Sequence, residues 1–246
     1  MDNVTAAKEL ISLLDLTSLH ENDNETTIAK LCERAHTPYG EVAAVCVYPK
    51  FVNFAKKQLK DSTVKVATVI NFPSGGSNFD LMAQELAFSL HEGADEIDAV
   101  LPYKDFMSGH NDVIKDFFAT LYAQINPKKI PLKIIIESGE LQHASAIARA
   151  ADLCIKQGAS FIKTSTGKSK ISATPEAANI ILETIASGRR NIGFKASGGI
   201  KTTEDAKQYL LLASSIMGGK WITKKNLRIG ASSLLDELIQ TIERGY

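Results

Sequence analysis

The sequence predicts an α/β protein with a TIM (β/α)8 barrel that forms a single domain over residues 1–246. Short runs rich in valine and isoleucine alternate with amphipathic segments from end to end, and eight such units fit a chain of this length. Strands that are apolar on both faces are typical of a parallel sheet covered by helices. The alternative is a doubly wound sheet, which is disfavoured because no GxGxxG motif follows the first strand.

Eight strands are predicted in chain order from their length, apolar content and flanking turn residues. They are Leu13–Leu16, Ala43–Val47, Lys65–Ile70, Glu96–Leu101, Leu132–Glu137, Phe161–Lys163, Ile192–Ala196 and Leu227–Ile229. Between them apolar residues recur with helical period, as Phe79, Met82 and Leu86 do. Thr174 before Pro175 marks a helix start. A short N-terminal helix and a flexible C-terminal tail are expected at the two ends.

Composition excludes several classes of partner. Lysine plus arginine and aspartate plus glutamate number 28 each, with no long basic run, so nucleic acid is not expected to bind. No apolar stretch approaches the roughly 18 residues that span a membrane, and the N-terminus lacks a signal-peptide pattern. Widely spaced Cys32, Cys46 and Cys154 argue against disulfides and predict a cytoplasmic location. The scattered histidines form no metal motif, so a metal site is not expected.

Two lysines end predicted buried strands, although lysine is almost never fully buried. Lys163 closes the sixth strand and Lys195 lies in the seventh. Neighbouring ammonium groups disfavour each other and burial disfavours both, so the pKa of one falls from about 10.4 toward neutrality. A neutral lysine amine forms Schiff bases with carbonyl groups. Asp98, a polar residue in an apolar strand, is expected to face them, either as a structural ion pair or in a functional site. Spacing does not decide which lysine reacts.

Three segments at the ends of predicted strands have the composition of an anion pocket. Hydroxyl residues, glycines and lysines follow the sixth and seventh strands in segments 163–168 and 197–201. Segment 228–233 follows the eighth strand and opens the last helix with Ser232 and Ser233, which can also cap that helix. Loops at these positions are the usual phosphate site of the fold, where backbone N–H groups at a helix start hold the anion. Each segment taken singly is also compatible with an ordinary polar loop.

With these features together, the chain resembles the bacterial deoxyribose-phosphate aldolase family over nearly its whole length. The segments that carry the resemblance are Leu14-Asp15-Leu16-Thr17, Val45-Cys46-Val47-Tyr48-Pro49, Asn71-Phe72-Pro73, Asp95-Glu96-Ile97-Asp98, Phe161-Ile162-Lys163-Thr164-Ser165-Thr166-Gly167 and Lys195-Ala196-Ser197-Gly198-Gly199. The resemblance implies a lyase, a class I aldolase that cleaves 2-deoxy-D-ribose 5-phosphate to D-glyceraldehyde 3-phosphate and acetaldehyde in deoxyribose phosphate catabolism. It implies phosphorylated sugar and aldehydes as partners and no cofactor.

The resemblance also assigns roles to individual residues. It implies Lys163 as the Schiff-base lysine, Lys195 as the neighbour that perturbs its pKa, and Asp98 as a proton shuttle that works through water. The phosphate contacts of the family fall on Gly167, Lys168, Gly198, Gly199, Ser232 and Ser233.

Further residues are expected in lesser roles. Asp15 and Thr17, at the end of the first strand, either shape the pocket and contact Lys195 or act as local caps. Cys46 is expected near the site, more as a buried apolar residue than as a nucleophile. The remaining three candidates are Thr166 in the phosphate loop, Lys201 where relatives carry arginine, and Tyr246, which matches a terminal tyrosine that assists proton transfer in family members.

Two other functions stay open at this point. One is a phosphate-binding barrel enzyme without covalent catalysis, such as an isomerase or a decarboxylase, which would not need Lys163. The other is a sugar-phosphate-binding protein that has no activity, although a binder has no use for two crowded cations. A homodimer is the commonest oligomer, but no sequence feature identifies an interface.

Overall fold

Eight parallel strands close into a barrel in the computed structural model, which describes residues 1–126, 129–188 and 191–245. The strands, including a small hairpin, are β1 (Leu14–Thr17), β2 (His36–Thr37), β3 (Gly40–Glu41), β4 (Ala44–Val47), β5 (Lys65–Ile70), β6 (Glu96–Val100), β7 (Leu132–Ile135), β8 (Phe161–Lys163), β9 (Gly193–Ser197) and β10 (Leu227–Ala231). The barrel order is β1-β10-β9-β8-β7-β6-β5-β4, and β2 pairs only with β3. The predicted TIM barrel is confirmed.

Helices alternate with the barrel strands along the described chain. They are α1 (Asn3–Leu13), α2 (Glu25–Arg34), α3 (Val52–Gln58), α4 (Phe79–His91), α5 (Tyr103–Met107), α6 (Asn111–Tyr122), α7 (Ser138–Leu141), α8 (Ala144–Gln157), α9 (Pro175–Ser187), α10 (Thr203–Met217) and α11 (Leu234–Arg244). The Thr174 side chain caps α9 by accepting from the backbone N–H of Ala177. No helix in the described ranges is long and apolar enough to cross a membrane.

The predicted strand ends differ from the structure at two informative places. β7 ends at Ile135 rather than Glu137, because Glu137 has a left-handed backbone conformation with φ of 49° that breaks the strand. β10 continues to Ala231, two residues beyond its predicted end. A Cβ built on Gly230 would lie 3.0 Å from Cε of Lys195, so this glycine makes room for the lysine and does not end the strand. The β2–β3 hairpin was not predicted because two-residue strands carry no periodic signal.

The interior of the barrel is divided into an apolar and a charged part. The main apolar core lies between the outer faces of the strands and the helices, and Val45 and Val47 belong to it. Their neighbours along the strand point the opposite way, as successive side chains of a strand must. These neighbours are Ala44 and Cys46, which form a small apolar cluster inside the barrel with Leu19, Ala67 and Val69. The space beside this cluster is left to polar side chains from the other strands.

Candidate active site

Strand pairing brings the three predicted catalytic residues together inside the barrel. β8 pairs with β9 so that Lys163 lies opposite Lys195. The Nζ atoms of both lysines donate to the same atom, Oδ2 of Asp98, at 2.8 Å each. The predicted placement of the two lysines on adjacent strands, directed at one aspartate, agrees with this geometry.

These three side chains belong to a larger group, called the ionic cluster here. It contains four cationic side chains and three carboxylates, all buried: Lys133, Lys163, Lys195, Arg228, Asp15, Glu96 and Asp98. Nζ of Lys195 lies 2.5 Å from Oδ2 of Asp15, and Nη1 of Arg228 lies 2.5 Å from Oδ1 of Asp15. The contact expected between Asp15 and Lys195 is therefore present.

Sequence reasoning missed Lys133, Glu96 and Arg228 as members of the site. Nζ of Lys133 lies 2.7 Å from Oε2 of Glu96 and 2.8 Å from Oδ1 of Asp98. Nη2 of Arg228 lies 2.7 Å from Oε1 of Glu96. Arg228 was predicted within the last strand, in the segment assigned to the anion pocket, but its side chain in β10 is buried against Asp15 and Glu96.

The pKa of Lys163 is lowered, which sets it apart from the other two cluster lysines. Burial lowers this pKa, the neighbouring Asp98 carboxylate raises it, and the nearby Lys195 ammonium lowers it again. The net direction is toward the neutral amine. Lys163 therefore has the electrostatic setting expected of a reactive lysine.

The other cations of the cluster are held protonated. Burial would lower the pKa of Lys195, but Asp15 and Asp98 outweigh this and raise it. Burial would likewise lower the pKa of Lys133, but Asp98 and Glu96 raise it. The geometry thus separates one lysine that is poised to lose its proton from two that keep theirs.

The carboxylates of the cluster are held ionised. Burial would raise the pKa of Asp98, but Lys133, Lys163 and Lys195 outweigh it and hold the pKa well below its ordinary value. Burial opposes ionisation of Asp15 in the same way, and Lys195 and Arg228 lower its pKa. Asp98 is therefore an acceptor at neutral pH and does not store a proton.

A cavity of about 190 Å³ opens above Lys163 at the carboxyl end of the barrel. It is lined by Thr17, Leu19, His20, Lys163, Thr166, Gly167, Lys168, Ser197, Gly198, Gly199, Ile200, Lys201, Gly230, Ala231, Ser232 and Ser233. The six predicted phosphate contacts all lie on this wall, together with Thr17, Thr166 and Lys201. Leu19 and His20, from the segment after β1, were not predicted.

A buried carboxylate outside the ionic cluster braces the loop after β8. Glu137 accepts hydrogen bonds from the Thr166 hydroxyl at 2.5 Å and from the Ser169 hydroxyl at 2.9 Å. On the other side of the cavity Nζ of Lys168 donates to the backbone carbonyl of Leu19 at 2.7 Å. Thr166 is thus a structural support of the loop, and Lys168 ties the loops after β1 and β8 together.

The loop after β9 and the segment before α11 each have one feature that shapes the cavity wall. Gly198 has φ of +86°, and a Cβ there would lie 2.6 Å from Cβ of Ser172, so this backbone approaches its neighbour more closely than another residue allows. Ser233 precedes α11 and makes no side-chain cap hydrogen bond, so the expected cap is absent and its hydroxyl is not used by the helix. The first turn of α11 contributes N–H groups that lack helical partners.

The other predicted residues lie at or below the floor of the cavity. The Thr17 hydroxyl donates to the backbone carbonyl of Asp15 at 2.8 Å, and Thr17 also lines the cavity. Cys46 is fully buried in the apolar cluster, and burial raises the pKa of its thiol. Tyr246 lies outside the described residues. Within those residues, no group of three or more histidine, cysteine or acidic side chains is arranged to hold a metal ion.

Comparison with known proteins decides the family. A family model described as DeoC/LacD family aldolase matches residues 9–239. The chain belongs to the DeoC/LacD family of aldolases. As an aldolase it is a lyase. For an aldolase, the cavity offers a buried lysine at one end and glycine-rich loops able to hold an anion at the other.

Individual relatives agree with the family assignment. A deoxyribose-phosphate aldolase of Agrobacterium fabrum is 43% identical over 241 residues, which cover 98% of this chain and 93% of that protein. A solved structure from Toxoplasma gondii, described as a candidate deoxyribose-phosphate aldolase, has a TM-score of 0.87 at 25% identity and covers 98% of this chain and 97% of its own. The deoxyribose phosphate aldolase of Aeropyrum pernix has a TM-score of 0.72 at 22% identity, covers 100% and 98%, and shares the fold.

Proposed function

We propose that the protein cleaves 2-deoxy-D-ribose 5-phosphate reversibly to D-glyceraldehyde 3-phosphate and acetaldehyde through a Schiff base on Lys163. One observation carries the proposal: among the cluster lysines, Lys163 both lines the cavity and has a lowered pKa. The Agrobacterium relative, which is named as a deoxyribose-phosphate aldolase, supports the choice of substrate. A place in deoxyribose phosphate catabolism follows from the same substrate.

The chemistry begins at Nζ of Lys163. The neutral amine adds to the C1 aldehyde of the open-chain sugar, and loss of water gives an iminium, which is an electron sink. The C2–C3 bond then breaks: the C3 hydroxyl loses its proton, C3 becomes the aldehyde of glyceraldehyde 3-phosphate, and the bonding electrons pass to C2 as an enamine. Protonation of C2 and hydrolysis release acetaldehyde and return the amine.

Asp98 and Lys195 serve this sequence in different ways. Asp98 accepts from Lys163 and fixes the direction of its amine. Because the pKa of Asp98 is held well below its ordinary value, a proton it receives must pass at once to water or substrate. Positioned proton transfer of this kind contributes about 10²–10⁴ in rate. The Lys195 ammonium disfavours a second positive charge and so keeps Lys163 neutral at lower pH.

The phosphate is proposed to bind at the far side of the cavity. Gly198, Gly199, Ser232 and Ser233 line this wall, and the first turn of α11 adds N–H groups and the positive end of its dipole. Lys168 and Lys201 contribute charge at the rim. Binding energy from the phosphate positions C1 at the lysine, although the phosphate takes no part in the chemistry.

Borohydride trapping tests the proposal directly. The wild-type protein is incubated with acetaldehyde and sodium borohydride, and the modified peptide is identified by mass spectrometry. We expect an ethyl group on Lys163, and none on that peptide when borohydride is omitted. Modification spread over surface lysines with Lys163 unchanged would refute the Schiff-base mechanism.

Several broader expectations remain proposals. The chain is proposed to act as a single domain, with phosphorylated sugar and aldehydes as its partners and no cofactor. A cytoplasmic location is compatible with three free cysteines, and a homodimer remains a hypothesis. The proposed contribution of Tyr246 to proton transfer is tested by deleting that residue and comparing kcat with KM.

A further inference from the structure

The ionic cluster contains one cation more than it has carboxylates. Its cations are Lys133, Lys163, Lys195 and Arg228, and its carboxylates are Asp15, Glu96 and Asp98. Burying a charge without a partner is expensive, and such groups usually become neutral instead. If one lysine gives up its proton, three cations balance three carboxylates.

Lys133 takes up carboxylate oxygens that would otherwise be available to Lys163. Its Nζ atom lies 2.8 Å from Oδ1 of Asp98, 2.7 Å from Oε2 of Glu96 and 4.0 Å from Oδ2 of Asp15, and its side chain is fully buried. The remaining oxygen of Asp98, Oδ2, is shared by Lys163 and Lys195. Lys163 is thus left with part of one carboxylate.

We infer that Lys133 is a positioning residue that makes Lys163 the surplus cation of the cluster, and this rests on the Schiff-base role proposed for Lys163. Without Lys133, three cations would face three carboxylates, and Oδ1 of Asp98 would be free to receive Lys163 or Lys195. Lys163 would then keep its proton to higher pH. Lys133 does not line the cavity, and its described ion pairs connect it to Lys163 through Asp98. It therefore acts on the chemistry indirectly.

The charged and titratable groups around Lys163 come from every neighbouring strand and from the cavity rim. They are Asp15 on β1, Cys46 on β4, Glu96 and Asp98 on β6, Lys133 on β7, Lys195 on β9, Arg228 on β10, and His20, Lys168 and Lys201 at the rim. Burial raises the pKa of the Cys46 thiol, so it is uncharged at neutral pH. The rim groups face solvent, which weakens their influence on a buried amine.

Trapping with acetaldehyde and borohydride across a range of pH tests the inference. The acid limb is the part of the pH profile in which adduct formation rises as Lys163 loses its proton. For Lys133→Met we expect this limb to move to higher pH. Trapping at pH 7 should be slower by about tenfold and should recover in alkaline buffer. A purely structural role would lower trapping by the same factor at every pH. Lys65→Met is the matched control, because Lys65 begins β5 and is exposed; its limb should not move.

Glu96→Gln supplies a second variant with the opposite sign. It removes a carboxylate while keeping the size of the side chain, so the surplus of cations grows and the acid limb should move to lower pH. The double variant Glu96→Gln/Lys133→Met restores a surplus of one and should return the limb toward the wild-type position. Glu96→Gln also decides the matter if Lys133→Met does not fold.

The outcomes separate this inference from the proposed function. Absence of any adduct on Lys163 in the wild type would remove both. A normal adduct on Lys163 with an unmoved limb in Lys133→Met, or a limb that does not fall in Glu96→Gln, would overturn the inference and leave the aldolase mechanism intact.

Discussion

The two ends of the ionic cluster contain the same kinds of side chain in opposite settings. At the carboxyl end of the barrel, Lys163 borders a cavity of about 190 Å³ and shares one carboxylate oxygen with Lys195. At the amino end, Arg228 and Glu96 border a larger cavity of about 490 Å³, but they form a bidentate ion pair with each other. The lowered pKa of Lys163 thus goes with incomplete pairing of its charge beside a cavity, and not with the size of that cavity.

The largest expected effect is on activity, which should depend on Lys163 at the cavity end of the cluster. Lys163→Leu removes the amine that is proposed to form the covalent intermediate, so the rate of acetaldehyde release from 2-deoxy-D-ribose 5-phosphate should fall by about 10⁴-fold. Coupled spectrophotometric assay of acetaldehyde measures it. Binding of the phosphorylated sugar, followed by calorimetry, should remain within a few-fold of the wild type. Substantial turnover by this variant would show that the reaction does not need the Lys163 amine.

The free energy of unfolding should depend more on Arg228, at the amino end of the cluster, than on Lys163 at the cavity end. Arg228→Leu leaves Glu96 and Asp15 short of a buried partner and should lower the free energy of unfolding by about 3–5 kcal/mol. Lys163→Leu removes a side chain whose charged form the fold disfavours, so it should change that free energy by less than about 1 kcal/mol or raise it. Urea unfolding followed by circular dichroism compares them. Equal losses in the two variants would show that both ends are structural.

The pH dependence of activity tests the coupling between Lys163 and Lys195 at the cavity end of the cluster. Lys195 lowers the pKa of Lys163, so Lys195→Leu should raise it and move the acid limb of activity upward in pH. The sign follows because the protonated amine is inactive, and a higher pKa keeps it protonated over more of the range. Activity at pH 7 should fall by about tenfold or more. A pH–rate profile with an unchanged limb would mean that Lys195 does not tune Lys163.

The smallest expected effect concerns the loop after β9, where the backbone of Gly198 packs closely against Ser172. Gly198→Ala introduces a Cβ 2.6 Å from Cβ of Ser172 at a positive φ, so the loop must shift. KM for the phosphorylated sugar should rise by about tenfold with a smaller change in kcat. Gly109→Ala is the matched control, since Gly109 has φ of +76° but open space around it. Steady-state kinetics in which Gly198→Ala behaves like Gly109→Ala would show that the close approach to Ser172 does not affect substrate binding.

Much of this arrangement could be predicted from the sequence because the barrel has a simple period. Alternating strands and helices gave the fold, and a lysine at the end of a buried run identified Lys163 and Lys195. Lys133 was missed because it stands near the start of its strand, where a lysine is ordinarily exposed, as Lys65 is at the start of β5. Alternation could have found Glu96, since it lies two residues before Asp98 and therefore points the same way.

Other features depend on contacts that no local pattern encodes. The pairing of Arg228 with Asp15 and Glu96 joins three strands that lie far apart along the chain, so the predicted strand Leu227–Ile229 did not indicate it. Spacing alone did not choose between the two candidate lysines, and the family resemblance assigned the reactive role to Lys163. The structure adds the physical difference between them: Lys195 donates to two carboxylate oxygens and Lys163 to one.

The Glu137 brace has a consequence for how this enzyme can change. Glu137 holds the Thr166–Ser169 loop through hydroxyl groups, and none of its described hydrogen bonds involves the ionic cluster. The loop is therefore ordered before any ligand arrives, and binding does not have to supply the entropy of ordering it. The loop proposed to contact the substrate is held by Glu137, whereas Lys163 is held by the ionic cluster. Redesign of the loop for acceptors without a phosphate can accordingly proceed while the lysine chemistry is left untouched.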